Sequence, residues 1–435
     1  MYTNARSLVF SRMCAAFAVC LLAAAVADAA GTKDRVYQFG DDPFEGGSPG
    51  NPLAAGTFDS FAFDPISILD YQDFAVGAPA TAPVYVDTDA TGGTNRPGAA
   101  ATEVGIGFDG IDDVIFIDGA PTTTVATGSG GLGIPSYSDW QTKYGSPSVV
   151  NWTGINQRYM EGWVRPTTAK TTRQDVVADT QQFTIFISPS NAAVNPSSWG
   201  MTHGDPNPTD AEMDVIVTSS DAVEFGQWAH VMQRSFEGDA VLYVNGIGVA
   251  HTTNNVDTTP TEAGDNYNMV FGAGMDKVSN FFAGQVDDWN FGVNGNNAAT
   301  AASAGLPAGM NWGAVDMAVD NDFIKVTLAA AGNKLGDVNI DGSVNQTDVN
   351  IFVTNWQTRR TINGFQFGDL NSRDGGDFDF DGDVDLNDAI VLRNGLLIAG
   401  SGASFDLGSL VPEPTSVVLA LFGLASVAGV RRRKS

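Results

Sequence analysis

Short apolar runs, separated by polar turns, fill the larger part of the chain. Between positions 36 and 293 many of these runs alternate hydrophobic and polar residues, and Gly, Asp, Asn or Pro stands between them. Alternation with a period of two is typical of strands that bury one face, and regular turn residues favour an antiparallel sheet. We therefore predict a mainly β fold built as an antiparallel sandwich. The strand candidates are 36–39, 114–117, 158–164, 183–187, 214–217, 228–235, 240–244 and 284–291.

Aromatic residues and one dipeptide add detail to this sandwich. Because aromatic side chains are enriched in packed strands, Trp163, Trp228 and Trp289 are predicted to lie in the core. Asn245 and Gly246 are residue types that accept a positive φ, so they predict a tight turn between two strands.

The pattern changes after position 293. Residues 294–333 mix Ala, Gly and Asn, which favours a linker, with the apolar stretch 323–328 as a candidate closing strand. Further on, apolar residues recur at helical spacing and predict two helices. They are Val349, Phe352, Val353 and Trp356 in the first helix, and Leu386, Ala389 and Ile390 in the second, which Asn394 and Gly395 are expected to end.

The charge balance narrows the function. The chain has 435 residues, of which 22 are Lys or Arg and 50 are Asp or Glu, giving a formal net charge of −28. Because such a chain repels phosphate, we exclude nucleic acid as a partner and expect calcium instead. The length favours one large domain with small appendages.

The N-terminus has the three parts of an export signal. Arg6 and Arg12 are basic, 13–26 is apolar, and 27–29 is a small-x-small cleavage site. We therefore predict a signal peptide over 1–29, with an uncleaved anchor as the alternative.

The two cysteines, Cys14 and Cys20, both lie inside this export segment. The mature protein is therefore expected to contain no cysteine. An exported chain without disulfides relies on core burial or on bound metal, which favours a role for calcium.

The strongest chemical signal is a repeated twelve-residue motif. Each copy has oxygen-bearing side chains at positions 1, 3, 5, 9 and 12 and Gly at position 6, and the backbone carbonyl at position 7 completes the set. Calcium (Ca2+) prefers several hard oxygens around one point, and without a cation these carboxylates would repel one another. The predicted calcium ligands are Asp337, Asn339, Asp341, Ser343, Asn345 and Asp348 in the first loop, and Asp377, Asp379, Asp381, Asp383, Asp385 and Asp388 in the second.

This pair of loops resembles the type I dockerin family. EF-hand loops usually close with Glu, whereas Asp348 and Asp388 close these two, as in dockerins, and each loop runs directly into one helix. The resemblance covers 334–402 and implies a small α-helical module that attaches to a cohesin-type partner through the dyads 346–347 and 386–387. The two dyads differ, which argues against two equivalent binding faces. The alternative is a pair of calcium staples that stabilise the C-terminal region without a partner.

Five phrases in the β region resemble the laminin-G-like family of concanavalin A-like sandwiches. The resemblance implies an antiparallel jelly-roll sandwich over 34–293 and a carbohydrate or surface ligand, although the family also includes hydrolases. The phrases occupy 108–113, 160–166, 226–231, 242–246 and 284–289.

Aromatic residues in Gly-, Ser- and Pro-rich stretches are candidates for stacking on a sugar ring, because their faces can lie in exposed loops. Plugging the end of the sandwich is the alternative role. These residues are Trp140, Tyr144, Trp152 and Trp199.

Other acidic stretches are weaker candidates for calcium. Segment 369–375 imitates a loop but has Arg373 where a carboxylate is needed, so we read it as a connection. The laminin-G resemblance makes five sandwich carboxylates candidates for a further calcium, although a turn-forming role is favoured for them. They are Asp109, Asp112, Asp113, Asp287 and Asp288.

One carboxylate group resembles a hydrolase site. Asp210, Glu212 and Asp214 alternate, and on a strand all three would share a face, as glycosidases require. Sandwich glucanases use the order Glu-x-Asp-x-Glu, which differs. We therefore favour a non-catalytic binding protein, with a polysaccharide hydrolase recruited through its dockerin, or a purely structural envelope protein, as alternatives.

The C-terminus carries a sorting tail. Pro412, Glu413 and Pro414 precede the apolar run 416–430, and 431–434 is basic. This order resembles the PEP-CTERM sorting signal, which implies processing by an exosortase. The basic end would stay on the cytoplasmic side and hold a transmembrane helix transiently in the inner membrane, with a permanent anchor as the alternative.

These inferences combine into an exported cell-surface or secreted modular protein that binds carbohydrate and attaches through calcium. The predicted organisation is signal peptide 1–29, sandwich 34–293, linker 294–333, dockerin-like module 334–402 and sorting tail 411–435.

Overall fold

The structure is a computed structural model. It describes residues 32–37, 83–88, 96–99, 104–117, 157–179, 184–189, 197–203, 215–236, 239–253, 269–274, 278–294, 321–406, 408 and 410. Several predicted features lie outside these residues. They are the signal peptide, the aromatic residues Trp140, Tyr144 and Trp152, the carboxylates Asp210, Glu212 and Asp214, and the sorting tail with its apolar run.

The larger sheet of the sandwich has eight strands within the described residues. They are β1 (Thr32–Tyr37), β2 (Val84–Asp87), β3 (Val104–Asp109), β5 (Gln157–Pro166), β10 (Ala229–Phe236), β11 (Asp239–Val244), β12 (Ile247–Thr253) and β14 (Ala283–Asn294). Their order is β12-β11-β10-β5-β14-β3-β2, and β1 also pairs with β14.

The smaller sheet has six strands in the described part of the chain. They are β4 (Ile115–Ile117), β6 (Gln174–Asp179), β7 (Thr184–Ile187), β8 (Ser198–His203), β9 (Val215–Ala222) and β13 (Met269–Phe271), in the order β4-β13-β6-β7-β8-β9. Every strand pair in both sheets is antiparallel, which confirms the mainly β, antiparallel prediction and is consistent with a concanavalin A-like sandwich.

The hydrophobic core lies between the two sheets. Trp289 is fully buried there and meets Phe271 edge to face, with ring centroids 5.7 Å apart. Gly162 lies beneath the indole of Trp289, where an added Cβ would approach Cε3 to 2.2 Å. The prediction that Trp163, Trp228 and Trp289 are buried is confirmed, although Trp163 packs beneath a helix on the outer face of the sheet.

The predicted tight turn joins β11 to β12. Asn245 and Gly246 both have positive φ, at 50° and 73°, as a two-residue hairpin with the right-handed sheet twist requires. The β11–β12 hairpin that ends in this turn lies at the surface that the C-terminal residues cover.

The C-terminal part contains four helices and a hairpin within the described residues. The helices are α1 (Asp322–Ala330), α2 (Gln346–Asn355), α3 (Leu370–Arg373) and α4 (Leu386–Ala399), and the hairpin pairs β15 (Thr361–Ile362) with β16 (Phe365–Gln366). Helix α4 continues through Asn394 and Gly395, contrary to the prediction. Gly395 fits because an added Cβ would lie 1.9 Å from the carbonyl oxygen of Leu335, so the glycine permits a close crossing rather than a helix end.

Helix α1 lies in the segment predicted as a linker, so the candidate strand over 323–328 was wrong. Asn321 caps the helix by accepting a hydrogen bond from the N–H of Ile324 at 3.2 Å. The N–H of Asp322 donates to Glu161 of β5 at 3.0 Å, and Phe323 packs on Trp163. The helix is therefore fixed to the outer face of the larger sheet.

Candidate metal centre

The two predicted calcium loops share one hydrogen-bond framework. In the first, Asp337 accepts from the backbone N–H groups at positions 5 and 6, at 3.1 and 2.7 Å. In the second, Asp377 accepts from the same two positions at 3.1 and 2.9 Å. Both carboxylates are buried, so each loop curls around its first residue.

The last residue of each loop closes it in the same way. Asp348 accepts from the N–H groups at positions 2 and 9 at 2.8 and 2.7 Å, and Asp388 does so at 2.7 and 2.8 Å. Asp348 and Asp388 are both buried. A longer Glu side chain would not occupy the same place, which explains why Asp closes both loops.

Backbone conformation explains the spacing of the motif. Position 6 is Gly342 in the first loop and Gly382 in the second, with φ of 80° and 85°. Position 4 also has positive φ, at 56° in Ile340 and 58° in Phe380. Two left-handed residues so close together turn the chain sharply and direct the flanking carboxylates inward.

Position 9 of each loop is the N-cap of a helix. Asn345 accepts from the N–H of Thr347 at 2.8 Å at the start of α2, and Asp385 accepts from the N–H of Asn387 at 2.6 Å at the start of α4. The loops therefore run directly into helices, as the sequence predicts.

The second loop concentrates negative charge in a buried space. Carboxylate oxygens of Asp377, Asp379 and Asp388 lie within 4.8 Å of one another. Burial raises the pKa of Asp377 and of Asp388 to about 8, and repulsion from neighbouring carboxylates adds to both shifts. Burial also raises the pKa of Asp381 to about 6. Without a cation, the negative charges of these buried carboxylates repel one another.

Two buried oxygens of the second loop have no hydrogen-bond partner among the described residues: Oδ1 of Asp379 and Oδ1 of Asp383. Buried polar atoms are nearly always paired, and Asp379 is a predicted side-chain ligand at position 3, so its oxygen points to a missing ligand. Hard, charged oxygens are the donors that calcium takes, and the residues present therefore fit that ion.

The first loop carries less charge. Asn339 stands where the second loop has Asp379, and its Nδ2 donates to Oδ2 of Asp341 at 2.9 Å. Asn345 likewise replaces Asp385. Burial raises the pKa of Asp337 here as well. Both loops offer an oxygen shell, but the second is the more acidic and the more deeply buried.

Arg373 joins the two loops. Its guanidinium donates to the carbonyl oxygen of Asp337 at 2.8 Å and to that of Val338 at 3.4 Å, and it stacks 4.4 Å from the ring centroid of Phe378 in the second loop. Burial lowers its pKa to about 10, while the neighbouring carboxylates oppose that shift. The sequence marked this segment only as a connection, and its bridging role was not predicted.

The five carboxylates considered for a further calcium do not form one site. Asp109 accepts from the N–H of Ile111 at 2.7 Å, and Asp113 accepts from the N–H of Asp109 at 2.5 Å, so they shape the turn after β3. Lys170 donates to the carbonyl oxygens of the same turn and of Phe281. The oxygens of Asp109, Asp112 and Asp113 lie within 4.8 Å of one another.

Asp287 and Asp288 lie at the other end of the β3–β14 pair, where both contact Arg96. The Arg96 guanidinium is 2.6 Å from Asp287 and 3.0 Å from Asp288. An arginine therefore already occupies the position facing these two carboxylates, which supports the structural role.

The sugar-stacking prediction for Trp199 is wrong. Its side chain is 2% exposed and belongs to the core cluster between the sheets. Alternation along β8 turns Trp199 and Met201 inward, so this indole has no free face for a sugar. The surrounding Ser and Gly residues had suggested a loop.

Comparisons with known proteins agree with two of the resemblances. Residues 160–292 match the laminin G family described as the concanavalin A-like lectin/glucanases superfamily. Residues 410–434 match the PEP-CTERM protein-sorting motif. A search of curated proteins gives no match. Among the described residues, no helix is long and apolar enough to cross a bilayer.

Solved structures to which this chain is similar include the following three. The SAP-like pentraxin of Limulus polyphemus is 15% identical, with 34% of this chain and 70% of that one covered and a TM-score of 0.25. The CBM40 module of Ruminococcus gnavus IT-sialidase, bound to α2,3-sialyllactose, is 16% identical, with 37% and 89% covered and a TM-score of 0.26. Domain 4 of the arabinanase AbnA from Geobacillus stearothermophilus is 14% identical, with 63% and 98% covered and a TM-score of 0.28.

Proposed function

We propose that this chain is an exported surface protein in which a carbohydrate-binding sandwich carries a calcium-dependent, dockerin-like attachment module. The observation that carries the proposal is the common framework of the two loops, with an unpaired buried oxygen of Asp379 in the second. The laminin G match supports the sandwich's role, and the sorting match supports export and surface sorting with an exosortase as the processing partner.

Calcium would be held by the twelve loop residues predicted from the sequence. When bound, it neutralises the clustered carboxylates and ties the start of each loop to the helix that follows. The protein's own contribution is the inward orientation of those oxygens, which the backbone N–H groups already impose at Asp337 and Asp377. Attachment would then depend on calcium because the helices are oriented by the loops.

The exposed face of α4 supports attachment to a protein partner. Leu386, Ile390 and Leu397 lie at i, i+4 and i+11 on one face, and their exposed fractions are 51%, 42% and 69%. Large apolar side chains in such a row are typical of binding surfaces. Leu386 of the dyad 386–387 lies on this face, which suits a cohesin-type partner.

In the corresponding dyad of α2, Gln346 is hydrogen-bonded to the C-terminal segment although it is exposed. Oε1 of Gln346 accepts from the N–H of Ser404 at 3.0 Å, and Nε2 of Gln346 lies 3.5 Å from the carbonyl oxygen of the same residue. We therefore propose one contact face, on α4, rather than two equivalent faces. Ile390→Lys should abolish capture of a cohesin domain without changing calcium binding, whereas Val353→Lys on α2 should leave capture intact.

The carbohydrate role is tested by retention on immobilised polysaccharides, with calcium or with chelator, while released sugar is assayed. Retention without release supports a binding protein. Release of sugar contradicts it and favours the hydrolase alternative at Glu212. If the protein is not retained and releases no sugar, the carbohydrate part of the proposal is removed. The attachment module is then tested separately.

A further inference from the structure

The C-terminal residues pack directly on the sandwich. The N–H of Leu370 donates to the carbonyl oxygen of Gly246 at 3.0 Å, and Nδ2 of Asn363 donates to that of His251 at 3.2 Å. The ring of Phe365 stacks on His251 with centroids 4.5 Å apart and an interplanar angle of 5°. The hairpin β15–β16 and its flanks therefore form a docking surface on β11 and β12.

A partly buried ion pair between Arg360 and Asp369 fixes this docking surface to Gly248. Oδ2 of Asp369 accepts from the N–H of Gly248 at 3.1 Å and from Nε of Arg360 at 2.9 Å. Nη2 of Arg360 in turn donates to the carbonyl oxygen of Gly248 at 2.9 Å. Asp369 is fully buried, so this arrangement requires the sandwich and the module to be in contact.

The second calcium loop belongs to the same interface. Phe380, at position 4 of that loop, is buried in a cluster with Met232, Val241 and Tyr243 of the sandwich. Phe367 joins this cluster and lies against Gly248, where an added Cβ would come within 2.2 Å of Cε2.

Backbone bonds hold the loop to the docking hairpin. The N–H of Arg360 donates to the carbonyl oxygen of Gly382 at 2.7 Å, and the N–H of Val384 donates to that of Thr358 at 3.1 Å. The second loop is thus clamped between the hairpin and the sandwich. Ile340, at position 4 of the first loop, is half-buried and takes no part in the sandwich cluster.

We propose that the second loop is a docking-linked cation site, whereas the first loop binds calcium independently of the sandwich. This inference rests on the proposed calcium function. The sandwich holds Phe380 and the hairpin in place and so keeps the second loop in its binding conformation. Because coupling between two sites is reciprocal, calcium in that loop holds the module on the sandwich. The surface presented to a partner therefore has a fixed orientation relative to the sandwich.

Single-loop variants of the full chain separate the two sites. Asp341→Ala leaves only the second loop complete, and Asp381→Ala leaves only the first. Calcium affinity is measured by titration calorimetry in each variant, with and without Gly248→Ala, whose added methyl group meets Phe367 and disturbs docking. We expect Gly248→Ala to weaken the second loop about tenfold, within the usual range of coupling between sites, and to leave the first unchanged.

A second pair of variants avoids dependence on Gly248→Ala. In the Asp341→Ala protein, which keeps only the second loop, Phe380→Ala should weaken calcium binding by a similar factor. Phe380→Leu in the same protein should retain most of the calcium affinity. In the Asp381→Ala protein, which keeps only the first loop, Ile340→Ala should have little effect on calcium affinity. In the Asp341→Ala protein, calcium should also slow proteolytic cleavage on the C-terminal side of residue 294. Once Gly248→Ala is added, calcium should no longer slow that cleavage.

Three outcomes would overturn the inference. Equal losses in both loops would show that the first loop is not independent of the sandwich. No loss in the second loop with Gly248→Ala or Phe380→Ala would show that the second loop does not depend on it. Both outcomes leave the calcium function intact. Absence of calcium binding to the unaltered protein would remove the calcium function and the inference together.

Discussion

Tyr243 of the sandwich meets Phe367 of the C-terminal part edge to face, with ring centroids 6.0 Å apart and an interplanar angle of 84°. The Tyr243 hydroxyl also donates to the carbonyl oxygen of Gly368 at 3.3 Å. Burial raises the pKa of Tyr243 well above its ordinary value. The two parts of the chain therefore share a hydrophobic cluster instead of being joined only through a linker.

Phe367→Ala should destabilise the protein by about 3–5 kcal/mol, because a fully buried aromatic ring is lost and a cavity remains between the two parts. Denaturant unfolding measures the change. Val353→Ala, at a side chain that is 45% exposed, is the control and should change stability by less than about 0.5 kcal/mol. Equal effects would contradict the importance of this interface.

Arg373→Met should destabilise the cation-free protein by about 3–5 kcal/mol, because it removes a buried positive charge from between two acidic loops. The loss should be smaller with calcium, which neutralises the same carboxylates. Arg373→Lys keeps the positive charge but loses the two hydrogen bonds to the first loop. Its stability should therefore lie between that of the unaltered protein and that of Arg373→Met. Unfolding in chelator and in calcium gives both comparisons; no dependence on calcium would contradict the bridging role.

The docking of the C-terminal part shows where sequence reasoning succeeded and where it could not reach. Alternation predicted strands such as β5 and β10, and ligand spacing predicted the two loops, because both patterns are local. Segment 323–328 looked like a strand, although the cap at Asn321 and the pair Ile324 and Leu328 indicate a helix.

The interface itself has no local signal. In the sequence, Phe380 has no feature that sets it apart from other loop residues, and Gly248 has none beyond interrupting a strand. The structure places Gly248 against Phe367 and Phe380 in the same buried cluster as Phe367. The strands β3 and β8 were missed because glycines interrupt their apolar pattern. Long-range packing decided these positions.

Asp113→Asn should stabilise the protein at pH 7 by about 1 kcal/mol after allowance for solvent screening, and should have little effect at pH 4. Burial raises the pKa of Asp113 from 3.8 to about 6. The folded protein therefore holds this proton more tightly than the unfolded chain, and the contribution to stability falls as pH rises from about 4 to 6. Unfolding free energies across this range test the sign, and an effect independent of pH would contradict it.

Gly162→Ala should destabilise the sandwich by about 1–3 kcal/mol, because the new methyl group would displace the indole of Trp289. Thermal unfolding monitored by tryptophan fluorescence reports the change. Gly226→Ala is not a suitable control because Gly226 has a φ of 83°, whereas Ala222→Gly at the exposed end of β9 should be nearly neutral. An unaltered melting temperature for Gly162→Ala would contradict the close approach.

Calcium titration of the purified full chain by calorimetry decides whether the two loops are cation sites. We expect two bound ions in the unaltered protein, one in Asp341→Ala, one in Asp381→Ala and none in the double variant. Free calcium at one hundred times Kd should stabilise the protein by about 2.7 kcal/mol for each occupied site. Absence of binding heat in the unaltered protein, together with unfolding that is the same in calcium and in chelator, would contradict both calcium sites.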